Sequence, residues 1–321
     1  MLRCVVLDDY QDVALAMADW SRLAERVEVT VLREHLDSED ALVEALSGVE
    51  VLVVMRERTP LTGSLLARLP GLRLVVTSGM RNASIDLAAA ERQGVVVCGS
   101  ASRSEPAVEL TWALILGLAR KLVPESTALR AGGPWQSSVG VDLAGSTLGL
   151  LGLGKIGTRV AAVGAAFGMD VLAWSQNLTE DRAAAAGARL AASKEELLAA
   201  SDFVSIHLVL GERTRGLVDA ESFVHMRQSA YLVNTSRAAI VDQAALVDAL
   251  RAGRIAGAGL DVFEVEPLPA DHPLRSLPTV LATPHLGYVT KNNYSAYFRE
   301  AVEDIEAFLA GAPVRVLGAA K

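Results

Sequence analysis

Thr147-Leu148-Gly149-Leu150-Leu151-Gly152-Leu153-Gly154-Lys155-Ile156-Gly157 is the stretch that decides how this 321-residue chain is read. Its apolar start suits a buried strand, and Val160, Ala161, Val163, Gly164 and Phe167 follow at helical spacing. Between strand and helix the glycines stand as Gly152-x-Gly154-x-x-Gly157. In a dinucleotide-binding turn each has its own task. Gly152 lets the chain reverse, Gly154 lets the backbone approach a pyrophosphate, and Gly157 lets the helix close on the strand. The N–H groups that open the helix then meet the phosphate charge. A structural glycine turn is the bland alternative. The strand before, the helix after and a second strand over Asp170–Trp174 favour the nucleotide.

Outward from the turn, apolar runs alternate with helical patterns in both directions. Upstream, strands are predicted at 4–7, 27–32, 51–55, 74–77 and 95–98, with helices at 13–23, 38–46, 63–69 and 86–93. A long apolar helix, 105–122, leads to the loop Gly132-Gly133-Pro134-Trp135 and then to the turn. Downstream strands fall at 203–208, 230–234, 255–260 and 279–282. A last helix, 294–309, has no new sheet to join and is expected to pack back on the first domain. The fold class is therefore α/β: two doubly wound parallel-sheet domains, Rossmann-like or flavodoxin-like, with a cleft between them. Residues 1–101 plus 287–321 form one discontinuous domain, which would take the substrate; residues 102–286 form the dinucleotide-binding domain.

Composition agrees with that picture and narrows the class. The chain is 51% hydrophobic and 5% aromatic, which is ample for two aliphatic cores. No apolar run reaches spanning length without a charge or glycine break, and no secretion signal is visible at the start. Cys4 and Cys98 both lie in predicted strands and read as reduced core thiols, so a cytoplasmic protein is expected. A formal charge of −8 argues against nucleic acid. No cysteine–histidine cluster has metal spacing, so no metal site is assigned.

Ligands of open parallel sheets sit beyond the carboxyl ends of the strands. After 230–234 come Thr235-Ser236-Arg237; after 255–260 comes Asp261, with Glu266 five residues on; after 279–282 come Thr283-Pro284-His285. From the first domain, 74–77 delivers Ser78-Gly79-Met80-Arg81. Arg237 offers a planar fork for a carboxylate. His285 can pass a proton near neutral pH, and a neighbouring Glu266 would fix its tautomer. A nicotinamide, an acid–base histidine and an anion clamp together suit hydride transfer at the carbon of a 2-hydroxy or 2-keto acid. Other readings stand beside these. Arg237 could be a surface arginine, Glu264 competes with Glu266, and His207 reads as a satisfied core or cofactor-edge histidine.

These pieces resemble the D-isomer-specific 2-hydroxyacid dehydrogenase family. The resemblance rests on Gly149-Leu-Leu-Gly152-Leu-Gly154-Lys-Ile-Gly157, Asn234-Thr-Ser-Arg237-Ala, Gly259-Leu-Asp261-Val-Phe-Glu-Val-Glu266-Pro267 and Thr283-Pro-His285-Leu-Gly287, in order and over nearly the whole chain. It implies an NAD(P)-dependent, D-stereospecific dehydrogenase similar to glyoxylate or hydroxypyruvate reductases. Arg237 would hold the substrate's carboxylate and carbonyl, His285 would be the acid/base, and Glu266 its partner. Asp261 would hold the nicotinamide carboxamide. Gly152, Gly154, Lys155, Ile156 and Gly157 would hold the pyrophosphate, and Ser175, Gln176, Thr214 and Thr235 would complete the cofactor site. Gly79, Met80 and Arg81 would contact the substrate. A homodimer is implied too, with Trp135 on an arm that reaches the neighbouring subunit.

Three departures from the family pattern matter. Ser175-Gln176-Asn177 stands where an acid usually binds the ribose, which removes the bar to NADP and tilts the expectation towards it. Gly79-Met80-Arg81 replaces a Gly-x-Gly loop. Ala238 and Tyr288 stand where a glycine and a small residue are usual, which could narrow the pocket. Phosphite- or formate-type dehydrogenases of the same superfamily, and a corepressor-like protein that only senses the nucleotide, are the alternatives.

Overall fold

The computed structural model describes residues 1–318. The chain divides into two compact units. One is Met1–Arg103 with the C-terminal piece that starts at Val289; the other is Ser104–Tyr288.

The first unit is built on β1 (Leu2–Val6), β2 (Val27–Val31), β3 (Val51–Val54), β4 (Leu74–Thr77) and β5 (Val96–Gly99), paired in parallel in the order β2-β1-β3-β4-β5. β3 and β4 are buried at every position, as strands covered on both faces must be, and both are unbroken runs of aliphatic or β-branched residues. The last long helix, Lys291–Leu309, packs in this unit as expected, burying Tyr297, Phe298, Val302 and Ile305.

Residues 13–23 do not form the predicted helix. Asp9 Oδ2 accepts from the N–H groups of Val13 and Ala14 at 2.9 and 2.8 Å, tightening the chain into a short 3₁₀ turn, Ala14–Ala16. Asp19 then caps a second 3₁₀ turn, Trp20–Leu23, through Ser21 N–H. Side-chain acceptors of this kind compete with the helical ladder.

The second unit holds β6 (Thr147–Leu151), β7 (Asp170–Trp174), β8 (Arg189–Leu190), β9 (Phe203–Ile206), β10 (Tyr231–Asn234), β11 (Gly257–Leu260) and β12 (Val280–Ala282). All pair in parallel, in the order β12-β11-β10-β9-β6-β7-β8. Strand order reverses between β6 and β9, so the glycine turn that follows β6 sits at a topological switch point. The two-residue β8 escaped the sequence reading because it is too short for a periodic signal.

The long helix also differs from expectation. It runs Glu105–Ala119, and Lys121, at φ +52°, turns the chain into a separate helix, Leu122–Arg130, with no buried residue. Lys121 Nζ donates to the Tyr231 hydroxyl at 3.2 Å, a tertiary tether that helps hold the left-handed residue in place. No helix among the described residues is long and apolar enough to cross a membrane.

Candidate active site

The glycine turn is built by exclusion. Gly152 has φ +102°, and a Cβ there would lie 2.8 Å from the backbone of His207. A Cβ on Gly157 would fall well inside contact distance of the Gly152 carbonyl oxygen, so only glycine lets the helix lie this close to the strand. Gly154 is different: a Cβ on it would meet nothing within 4 Å. It caps the helix Lys155–Ala166 without any side-chain hydrogen bond, which leaves the first N–H groups for an outside acceptor. Open space at Gly154 and uncapped helical donors fit a pyrophosphate.

Ser175 and Gln176 follow β7 directly; the Ser175 carbonyl accepts from Leu178 N–H, and Gln176 is exposed. Thr214 closes the loop after β9, donating to the Val209 carbonyl at 2.7 Å and accepting from Gly211 N–H at 2.9 Å. His207 begins that loop half-buried, with Nε2 2.9 Å from Ser205 Oγ. Burial pushes its imidazole down to about 4, so it stays neutral at ordinary pH.

β10 ends in Asn234, buried and used on both sides. Its Oδ1 accepts from Ser236 N–H and its Nδ2 donates to the Arg237 carbonyl, each at 3.0 Å. Ser236 Oγ adds a bond to the Leu208 carbonyl at 2.6 Å. The turn that presents Arg237 is therefore braced from two directions, and the half-buried guanidinium donates to the Ser236 carbonyl at 2.8 Å. Thr235 Oγ1 lies 2.8 Å from Thr111 Oγ1. Because Thr111 gives its only hydroxyl proton to the Ala107 carbonyl at 2.7 Å, Thr235 is the donor in that pair.

Past β12 the chain makes a tight turn in which His285 N–H donates to the Thr283 carbonyl and His285 takes φ +54°. A left-handed residue with a side chain costs about 1 kcal/mol, so it persists only where its surroundings hold it. Asp261, buried at the end of β11, supplies the hold. Its Oδ1 accepts from Thr283 Oγ1 and Leu286 N–H, both at 2.7 Å, and its Oδ2 accepts from Gly287 N–H at 2.8 Å. Burial raises the Asp261 carboxyl above the usual range, and these three donors oppose the rise. A Cβ on Gly287 would stand 3.0 Å from Asp261 Oδ2, a tight approach that favours glycine after Leu286.

Glu266 Oε2 lies 2.6 Å from His285 Nδ1, and its Oε1 accepts from Phe263 N–H at 2.8 Å. Glu264, its competitor in the sequence, donates its N–H to Gln243 and has no side-chain bond to His285 among the described residues. With Nδ1 engaged, His285 Nε2 has no hydrogen bond among the described residues. Its flank is covered by Tyr288, whose ring stands at 78° to the imidazole with centroids 5.3 Å apart.

The first unit places Gly79 at φ +95° after β4, with Arg56 Nη1 packed so close that a Cβ on Gly79 would lie 2.6 Å away. Gly79 N–H donates to Ser100 Oγ at 3.1 Å, and Met80 and Arg81 are exposed. Asn82 Nδ2 ties the loop to the Arg56 carbonyl at 2.6 Å. No cluster of three or more potential metal ligands occurs among the described residues.

In the second unit, then, Glu266 bonds His285 and Asp261 bonds the turn on either side of it, while Thr235 and Arg237 follow the neighbouring strand β10. Sequence reasoning missed Thr111, Asn234 as a brace, and Thr283 as an Asp261 partner. Asn234 and Thr283 stood inside quoted motifs; Thr111 gave no signal, being one more small residue on an apolar helix.

Residues 112–287 match the family model of the D-isomer specific 2-hydroxyacid dehydrogenase NAD binding domain. Glyoxylate reductase of Aeropyrum pernix is 41% identical over 77% of this chain and 76% of its own length. Hydroxypyruvate reductase of Thermotoga maritima is 35% identical over 88% of this chain and 92% of its own. Among solved structures, phosphoglycerate oxidoreductase from Vibrio cholerae superposes with a TM-score of 0.92 and 40% identity, covering 97% of this chain and all of that one. Against D-3-phosphoglycerate dehydrogenases of Methanocaldococcus jannaschii and Bacillus subtilis, the match spans 58% and 50% of their lengths.

Proposed function

The chain belongs to the D-isomer-specific 2-hydroxyacid dehydrogenase family of NAD(P)-dependent oxidoreductases, and from that premise we propose that it interconverts glyoxylate or hydroxypyruvate and the matching 2-hydroxy acid. One observation supports the residue roles above the rest: Glu266 engages Nδ1 of His285 in a fixed turn, and Nε2 has no hydrogen bond among the described residues. In reduction, His285 Nε2 gives its proton to the carbonyl oxygen; in oxidation it takes the hydroxyl proton back. Glu266 keeps the other ring proton in place, so the tautomer never changes. Arg237 holds the substrate carboxylate with its fork and aligns the carbonyl. A bound nicotinamide supplies the hydride in one direction and accepts it in the other.

Gly152, Gly154, Lys155, Ile156 and Gly157 would hold the pyrophosphate, Ser175 and Gln176 the ribose, and Thr214, Thr235 and Asp261 the rest of the cofactor. Gly79, Met80 and Arg81 are proposed as substrate contacts on the family resemblance. Gly79 N–H is engaged by Ser100, so peptide donors for the carboxylate would come from Met80 and Arg81. NADP is the proposed cofactor of choice, because no carboxylate stands at Ser175-Gln176-Asn177 to repel a 2′-phosphate. We further propose a cytoplasmic homodimer. The helix Leu122–Arg130 buries none of its residues, and Trp135 and Val139 beyond it are 82% and 93% exposed, a surface suited to a second copy.

The test is a matrix of NADH and NADPH against 2-keto acids of increasing size, followed by absorbance. Turnover with glyoxylate or hydroxypyruvate is expected, and its absence with every keto acid defeats the proposal. An NADH preference above about tenfold in kcat/KM defeats the cofactor assignment. His285→Ala should abolish turnover and leave cofactor binding intact. A monomer in light scattering removes the dimer.

A further inference from the structure

We propose that Tyr288 is a positioning residue for His285, fixing the tilt of the imidazole so that Nε2 keeps one direction. The inference rests on the acid/base reading of His285 and adds a residue to it. The covalent Cβ anchor and a single hydrogen bond from Nδ1 to Glu266 limit the ring, yet its plane can still swing wherever nothing packs against it. Something must stop the swing if Nε2 is to meet a carbonyl oxygen in the same geometry on each turnover. The Glu266 contact, at 2.6 Å, lies along the ring edge. The Tyr288 contact is of the other kind: ring against ring at 78°, centroids 5.3 Å apart, the edge-to-face arrangement that aromatic quadrupoles favour.

Tyr288 is itself held. It is 7% exposed, and the residue before it, Gly287, donates its N–H to Asp261 Oδ2 at 2.8 Å. The same carboxylate takes Leu286 N–H and Thr283 Oγ1, so one buried group fixes the backbone on both sides of His285 and up to the base of Tyr288. Two χ angles then suffice to fix the phenol ring. A small residue at 288 would leave the imidazole flank to water or to a neighbour with no fixed plane.

Tyr288→Leu removes the ring and keeps apolar bulk. It should lower kcat about tenfold, the rate equivalent of an aromatic pair, with KM for each keto acid changed less than about twofold. Cofactor affinity, read by quenching of protein fluorescence, should not move. The isotope effect on kcat with deuterated reduced cofactor should grow, because a misaimed proton donor makes chemistry slower than release. Tyr288→Phe keeps the ring and should restore kcat to within about twofold of the parent. Tyr288→Met is measured beside Leu, so that a folding defect in one variant leaves the other to decide.

An unchanged kcat in the folded Leu or Met variant overturns the proposal. So does a Phe variant as slow as Leu, which would give the role to the hydroxyl. A Leu variant that loses small keto acids but gains bulky ones also overturns it, since Tyr288 would then be a size filter. His285→Asn separates the two readings. If it turns over normally, the acid/base role fails. If it is inactive while the Tyr288 variants are unaffected, the positioning role alone fails.

Discussion

Both sheets put left-handed residues just past the carboxyl ends of their strands, but they use them differently. In the first unit Asp8, at φ +57°, follows β1 and is consumed by its neighbours. Its Oδ1 meets His35 Nδ1 at 3.0 Å, its Oδ2 accepts from Thr59 at 2.6 Å, and its carbonyl accepts from Arg58 Nη1 at 2.6 Å. Arg58 in turn lies over the Tyr10 ring. In the second unit His285, at φ +54°, is held by backbone and by one ring nitrogen, and the other nitrogen is left over. Similar backbone geometry thus yields a closed polar knot in one place and a reactive atom in the other. What separates them is how much of the side chain is used: both carboxylate oxygens of Asp8 are engaged, whereas at His285 one ring nitrogen is engaged and the remaining bonds fall on the flanking residues.

That contrast can be broken most directly by exchange of effects. His285→Asn should cost about 10²–10⁴ in kcat with little change in melting temperature, the range for loss of a general acid–base group. Asp8→Asn should do the reverse, destabilising the protein by about 2 kcal/mol through the weakened His35 and Thr59 contacts, Arg58 keeping the backbone carbonyl, while the folded fraction keeps its kcat. Lost turnover without lost stability in the Asp8 variant would erase the distinction.

A smaller effect sharpens the same point within the glycine turn. Gly157→Ala should destabilise by about 1–3 kcal/mol, since the added carbon meets the Gly152 carbonyl. Gly154→Ala should leave stability within about 0.5 kcal/mol, because that carbon meets nothing, yet weaken cofactor binding at least about tenfold. Equal losses in both stability and binding for the two variants would mean that Gly154 also serves the protein alone.

The weakest and most diffuse effect lies in pH dependence, where the two units have opposite signs. Burial drives the His207 imidazole from 6.5 to about 4 in the second unit. The unfolded chain then takes up this proton first as pH falls below 6.5, and stability drops by up to about 3 kcal/mol by pH 4. In the first unit burial lifts the Asp304 carboxyl to about 7, despite its bond from Arg315 at 3.0 Å. There the folded state binds the proton more tightly, so stability falls as pH rises from 3.8 towards 7. His207→Asn should flatten the acid side of a plot of melting temperature against pH, and Asp304→Asn the side leading up to 7. Changes of the same sign from both would contradict the burial argument.

How much of this was legible beforehand depended on range. The glycine turn, the strand ends and the Glu266–His285 pair followed from motifs, because each is a local sequence with a fixed register. Residues 13–23 depart from the expected helix since apolar spacing reports a face and says nothing of the Asp9 and Asp19 oxygens that break the ladder. Apolar spacing carries the long helix through Lys121, because the left-handed turn there is tied to Tyr231, 110 positions away. Asp261 was assigned to the cofactor by resemblance; its three bonds to the His285 turn appear only once β11 and β12 lie side by side. Tyr288 stood out as a departure, but its ring contact with His285 needed coordinates.

The return of the last helix to the first unit has a consequence for synthesis. Residues 104–288 leave the ribosome with their whole sheet in hand and can fold as a unit. The first unit cannot: its sheet is made early, but Phe298 and Ile305, which fill its core, and Val316, which bridges to Cys98 at its edge, follow only after the second unit. For nearly two hundred codons its five strands must wait without that cover, and this interval is when a chaperone would find an apolar surface to hold.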